Sequence, residues 1–172
     1  LNFFWTVLCF LPVLIYWIPR GADIWLYGSA AFSIVSGLLP ERLFKRIQIS
    51  RRPRFYEKSG VRTIRKFVQH GDLINRLYRR QLPGYKITGD VRRMKDYLQT
   101  IAMYERYHFM CCVFFLCTAI FGLSERRFLL ALLIMVSNVL YNIFPIFLQQ
   151  YNRIRIQALL AESGKRTVPR LV

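Results

Sequence analysis

The sequence predicts an all-α integral membrane protein with four transmembrane helices in two hairpins and a basic amphipathic cytoplasmic segment between them. Two observations predict it. Apolar stretches fill Leu1–Leu39 and Phe109–Leu148, and 18 of the 26 Lys and Arg residues lie between them, from Glu41 to Arg106. A net charge of +17 beside 54% hydrophobic residues is an odd pairing for a soluble fold. Segregated along the chain, the two describe lipid-facing helices with one cationic face, and cationic segments stay on the cytoplasmic side. Nucleic acid is disfavoured as the partner of this charge, because no nucleic-acid-binding motif accompanies it.

The expected organisation is a single membrane domain, 1–172: a first hairpin over 1–39, a basic layer over 40–104, a second hairpin over 105–150 and a tail over 151–172. Phe3–Ile18 is the first apolar run, closed by Pro19-Arg20-Gly21, and Ile24–Leu39 is the second, closed by Pro40. Each sits at or just under the short limit for spanning a hydrocarbon core. The first run lacks a basic leader and a small-residue cleavage site, so a membrane helix is the better reading than a signal peptide. Gly28, Ser29, Ala30, Ala31, Ser33, Ser36 and Gly37 let a neighbouring backbone come close, which places the second helix at the bundle centre.

In the basic layer, apolar residues interleave with cations, the pattern of segments lying in the headgroup layer against anionic lipid. Asp72 caps an expected helix up to Arg80, and a second helix from Asp90 runs unbroken into the third apolar run, ending near Gly122. The fourth run is Phe128–Leu148, and the short link Ser124-Glu125-Arg126-Arg127 makes the pair antiparallel. The hairpin turns and tail hold three and five cations against 18 in the middle, so both termini and the basic layer are expected in the cytoplasm of a bacterial-type inner membrane. Cys9, Cys111, Cys112 and Cys117 all lie in apolar runs without metal spacing and read as packing residues. His70 and His108 stand 38 residues apart, and no metal site is expected.

Met94, Leu98, Ile101, Glu105, His108 and Cys112 form one stripe of a 3.6-period helix. Glu105 and His108 interrupt its apolar character where the helix enters the membrane. Ionisable groups are costly there and mark function. The i, i+3 spacing puts both on one face, where a carboxylate can fix the tautomer of an imidazole that takes a proton from an alcohol or amine. The same residues also read as an interfacial belt, Tyr104-Glu105-Arg106-Tyr107-His108. Asn138, Asn142 and Gln149 fall on roughly one face of the fourth run, as interhelical amides or as substrate contacts, and Pro145 loosens the helix between them. Arg153 and Arg155 are either phosphate ligands or positive-inside anchors, and Glu57 in its cationic surroundings reads as salt-bridged.

Three stretches carry a resemblance: Glu57-Lys58-Ser59-Gly60, Glu105-Arg106-Tyr107-His108, and Asn142 leading to Gln149-Gln150-Tyr151-Asn152-Arg153-Ile154-Arg155. In order and spacing, over roughly Pro40–Leu159, the chain resembles the glycosyl-4,4'-diaponeurosporenoate acyltransferases, small membrane enzymes that esterify a sugar hydroxyl of a glycosylated carotenoid. It departs from them at Gln150, where the family carries arginine, at Ile154, where it carries proline, and at Lys66-Phe67, the nearest echo of a Trp-Lys pair. The resemblance implies a metal-independent acyltransferase acting on a hydroxyl or amine of a membrane lipid, glycolipid or carotenoid glycoside. His108 would be the general base and Glu105 its orienting group. Asn142 or Asn152 would position the reacting groups, with Gln149, Tyr151 and Glu57 beside the substrate. Arg65, Lys66, Arg153 and Arg155 would bind the anionic carrier of the acyl donor, coenzyme A or acyl carrier protein. The rival readings are a non-catalytic membrane subunit docking an acidic partner and a lipid-binding protein.

Overall fold

A computed structural model describes residues 2–61 and 91–166, and every regular element among them is helical. Arg65, Lys66 and the helix expected from Asp72 lie outside the described residues. Helix α1 is Asn2–Trp17, α2 Ile24–Gly37, α3 Glu41–Arg46, α4 Pro53–Lys58, α5 Val91–Ser124 and α6 Phe128–Asn138; a π-helical turn over Val139–Ile143 joins α6 to α7, Phe144–Arg166. Each boundary has a local cause. Asp23 caps α2 by accepting the Leu26 amide at 2.8 Å. Pro53 opens α4, where a missing N–H costs nothing. Gly60, at φ +84°, follows α4 in the left-handed region that favours glycine. The unbroken helix expected from Asp90 to Gly122 is α5, 34 residues long.

The helix of the fourth apolar run continues past the end of that run at Leu148. Helix continues through the polar Gln149–Arg155 stretch to Arg166, because Arg, Gln, Ala, Leu and Glu are strong helix formers and Leu148, Tyr151 and Ile156 bury one side of it. Two helices are long and apolar enough to cross a membrane, Met94–Ser124 and Phe128–Ala161, with best-window hydropathies of 1.8 and 2.0. Only 22% and 33% of those windows is buried, so most of their apolar surface has no protein to cover it.

The chain divides into two compact units. The first comprises Leu1–Ile47 and Glu105–Ile146. Its core is Val13, Tyr16, Trp17, Phe115, Ala119 and Ile134, with Phe10, Leu26 and Phe121 packed around them. Trp17 donates its indole N–H to Thr118 Oγ1 at 3.0 Å, which satisfies a buried polar group within that core. The small-residue face of α2 is buried at Ser29, Ser33 and Gly37, and Ser33 Oγ donates to the Met110 carbonyl of α5 at 2.6 Å. The rest of α2 is open, with Phe32, Ile34 and Val35 all exposed. Helix α2 is therefore a one-sided partner of α5 rather than the bundle centre: of its small residues Ser29, Ser33 and Gly37 are buried, while Gly28 and Ala31 are exposed. The turns after α1 and α5 meet through charge. Arg20 bonds to Glu125 and pairs with Asp23 at 3.5 Å, and Arg127 pairs with Glu125 at 3.4 Å.

The second unit comprises Gln48–Tyr104 and Phe147–Val172. It packs Tyr56 and Val61 against Leu148 and Tyr151, and Met94 and Ile101 against Ile156.

Candidate active site

His108 sits on α5 in the first unit, half-buried, with its ring edge-on to Tyr107 at 5.2 Å and to Tyr141 at 5.6 Å between centroids. Its Nδ1 lies 3.5 Å from Asn142 Oδ1, the outer limit of a hydrogen bond. Asn142 in turn donates Nδ2 to Asn138 Oδ1 at 2.8 Å, and Asn138 donates Nδ2 to the Cys112 carbonyl at 3.1 Å. Both amides are buried, at 0% and 2% exposure, so water has no access to replace either bond. Tyr141, whose hydroxyl lies 2.9 Å from Thr6 Oγ1 of α1, completes the polar surroundings of the ring.

The local fold that creates this arrangement is the π turn. Pro145 has no N–H to give the carbonyl four residues before it, Tyr141, and its ring crowds that carbonyl. The chain widens by one residue, with the Phe144 N–H reaching back to the Val139 carbonyl. Such turns recur at functional sites because they swing side chains off their helical register. Here Asn142 lies inside the turn, and the Tyr141 main chain comes within polar reach of the His108 ring.

The sequence-predicted residues separate. Glu105, His108 and Asn142 fall in the first unit. Glu105 is 3% exposed, one helical turn before the half-buried His108. The side chain in contact with the imidazole nitrogen is Asn142 rather than Glu105. Asn142 is buried, with its amide oxygen toward His108 and its amide nitrogen on Asn138.

Glu57, Gln149, Tyr151, Asn152, Arg153 and Arg155 fall in the second unit. There the polar run of α7 grips the segment that carries Glu57. Tyr151 Oη donates to Glu57 Oε1 at 3.0 Å. Gln150 Oε1 accepts from the Ile49 amide at 3.3 Å and faces the Tyr56 hydroxyl at 2.9 Å. Arg153 donates to Gln48 Oε1 at 3.1 Å. Arg155 is exposed, with its guanidinium over the Tyr151 ring at 5.5 Å, and Gln149 and Asn152 are half-buried. The Glu57-x-x-Gly60 spacing has a local reason: glycine stops α4 while glutamate, one turn earlier, reaches Tyr151.

Sequence reasoning passed over Gln150 and Arg106 as site residues. Gln150, 1% exposed, is the buried amide where Gln149 was expected, and the extra residue in the π turn accounts for an offset of one. Arg106 bonds the carbonyls of Gly37 and Leu39 at 3.0 and 2.9 Å and covers the Phe44 ring at 4.8 Å, so it ends α2 and fixes the start of α3. Its signal in the sequence was a cation placed between Glu105 and His108.

Compared with known families, residues 40–162 match the glycosyl-4,4'-diaponeurosporenoate acyltransferase family, over most of the chain. The chain belongs to that family. The match covers α3 through most of α7 and includes all three of the motif stretches. Comparison with curated proteins and with solved structures found no match. Membership of this family makes the chain an acyltransferase. His108 is the imidazole available among its described residues.

Proposed function

We propose that this member of the glycosyl-4,4'-diaponeurosporenoate acyltransferase family moves a fatty acyl group from a thioester, on coenzyme A or acyl carrier protein, to a hydroxyl of a membrane glycolipid, carotenoid glycoside or related lipid. The observation that carries the reading is His108, held by Asn142 at one ring nitrogen with the other directed away from that bond. The acceptor O–H gives its proton to that second nitrogen, Nε2, while the oxygen attacks the thioester carbonyl. The carbon–sulfur bond breaks, and the departing thiolate takes the proton back from the imidazolium, so an ester and a free thiol result. Asn142 orients the ring, the role an asparagine or aspartate fills in other acyl-transfer sites.

Four spans in two hairpins, with both termini in the cytoplasm of a bacterial inner membrane, suit this chemistry. The charge pattern supports it, as does the meeting of the two hairpin turns at Arg20, Glu125 and Arg127, which puts both turns at the same end of the first unit. Helices α1 and α2, of 16 and 14 residues, are short for a hydrocarbon core and would thin the bilayer locally. The cations of 40–104 and of α7 would hold the anionic donor or anionic headgroups, Arg65 and Lys66 among them.

The test is lipid mass spectrometry of cells with the protein, without it, and with His108→Ala. A new acyl ester, present only with the intact protein and reduced about 10²–10⁴-fold in a folded His108→Ala variant, is the expected result. An ester made at full rate by that variant would overturn the role of His108. No new ester in any lipid would favour the non-catalytic subunit.

A further inference from the structure

We propose that Asn138 is a positioning residue that decides which nitrogen of His108 carries the proton, through a one-way chain of hydrogen bonds anchored on the Cys112 carbonyl. The proposal rests on the reading of His108 as the base and adds the device that keeps it in the basic form. A backbone carbonyl can only accept, so the Asn138 atom 3.1 Å from Cys112 O must be the amide nitrogen. That turns Asn138 Oδ1 toward Asn142, which must therefore present Nδ2, at 2.8 Å. Asn142 Oδ1 is then left to face the ring, and an oxygen without a proton requires the imidazole Nδ1 to donate. The proton sits on Nδ1, and Nε2 keeps its lone pair.

Reversing any member of the chain would set two donors or two acceptors against each other. Asn138 and Asn142 are both buried, so no water relieves the mismatch. A free histidine side chain prefers its proton on Nε2, the nitrogen the reaction needs empty. The chain opposes that preference. Asn138 touches neither the ring nor a substrate in this scheme; it acts through Asn142.

The experiment is ¹⁵N NMR of histidine-labelled protein in nanodiscs, at a pH where the ring is neutral, with a His70→Gln variant assigning the second histidine. In the wild-type protein His108 is expected to show a protonated Nδ1 and an unprotonated Nε2. In Asn138→Ala, where Asn142 is free to rotate, the proton should move largely to Nε2. The kcat should fall about tenfold, because most molecules then hold the unproductive tautomer, with the donor KM unchanged. A wild-type ring protonated on Nε2, bonded to the Tyr141 carbonyl, would overturn the proposal, and this measurement needs no variant to fold. So would an Asn138→Ala protein with an unmoved tautomer. Failure of the base reading itself appears separately, as full activity in His108→Ala with the wild-type tautomer as expected.

Discussion

Arg106 and Gly37 show how single residues hold α2, α3 and α5 in register. The Arg106 guanidinium closes two orphan carbonyls at the end of α2 and lies on Phe44. Hydrogen bonds from a charged donor contribute about 1.5–3 kcal/mol, more than an exposed cation supplies. Arg106→Ala is therefore expected to lower the melting temperature in detergent clearly, while Arg155→Ala, at an exposed position, leaves it nearly unchanged. Equal effects would mean that the capping bonds contribute nothing. At Gly37 a methyl group would stand 2.1 Å from Met110 Cγ and 2.3 Å from its sulfur. The helix propensity gained by alanine is about 1 kcal/mol, and overpacking costs about 1–3 kcal/mol. The overlap involves the middle of the methionine side chain rather than its free end, so overpacking wins. Gly37→Ala should destabilise the protein alone and become neutral or stabilising when Met110→Ala is added. A thermal-melt double-mutant cycle reads this directly.

The elements with most leverage are the π turn and the polar run of α7. Pro145→Ala restores the missing N–H and lets the turn relax toward α-helix, which removes strain but rotates Asn142 away from His108. Higher thermal stability together with an acyl-transfer rate lowered about tenfold is the expected pairing, the usual trade where a strained element serves a site. A rate unchanged in a more stable protein would separate the turn from the chemistry. In α7, Gln150→Leu would leave the Ile49 amide without its acceptor and the Tyr56 hydroxyl with one partner fewer. The Tyr56 hydroxyl keeps its bonds to Ser50, so the cost is about 0.5–1.5 kcal/mol, that of an ordinary hydrogen bond. Chemical denaturation should show this loss, with the donor KM of the remaining folded enzyme unaltered, because the Gln150 side chain faces the protein interior.

At the scale of the whole molecule the governing quantity is charge, +17 on 172 residues, with 18 of the 26 cations gathered between the two pairs of apolar runs. Single cysteines placed at Ser59 and Gly164 should react with impermeant reagent only from the cytoplasmic side, and one at Ser124 only from the outside. The three cations in the hairpin turns do not reverse this expectation, since Arg20 and Arg127 are paired with Glu125 and the count in the middle is six times larger. Labelling of Ser59 from outside would invert the orientation, and with it the side from which the acyl donor arrives.

The sequence by itself determined the helical class, the positions of all four apolar runs, the continuity of α5 and the family. Each of these is written locally, in hydropathy, in a 3.6-residue period or in short motifs. It also singled out His108 and Asn142, because polar residues on an apolar stripe are legible in one helix at a time. Which of them bond was decided only by the tertiary structure. Period and spacing describe the face of one helix, and they made Glu105 the neighbour of His108. The partner found, Asn142, is 34 residues away on another helix, in a turn whose extra residue shifts the register. The same limit applied to α7, where hydropathy marked an exit from the membrane and could not reveal that Gln150, Tyr151 and Arg153 bond to Tyr56, Glu57 and Gln48. Local sequence fixes what each residue can donate or accept; only packing brings the donor to its acceptor.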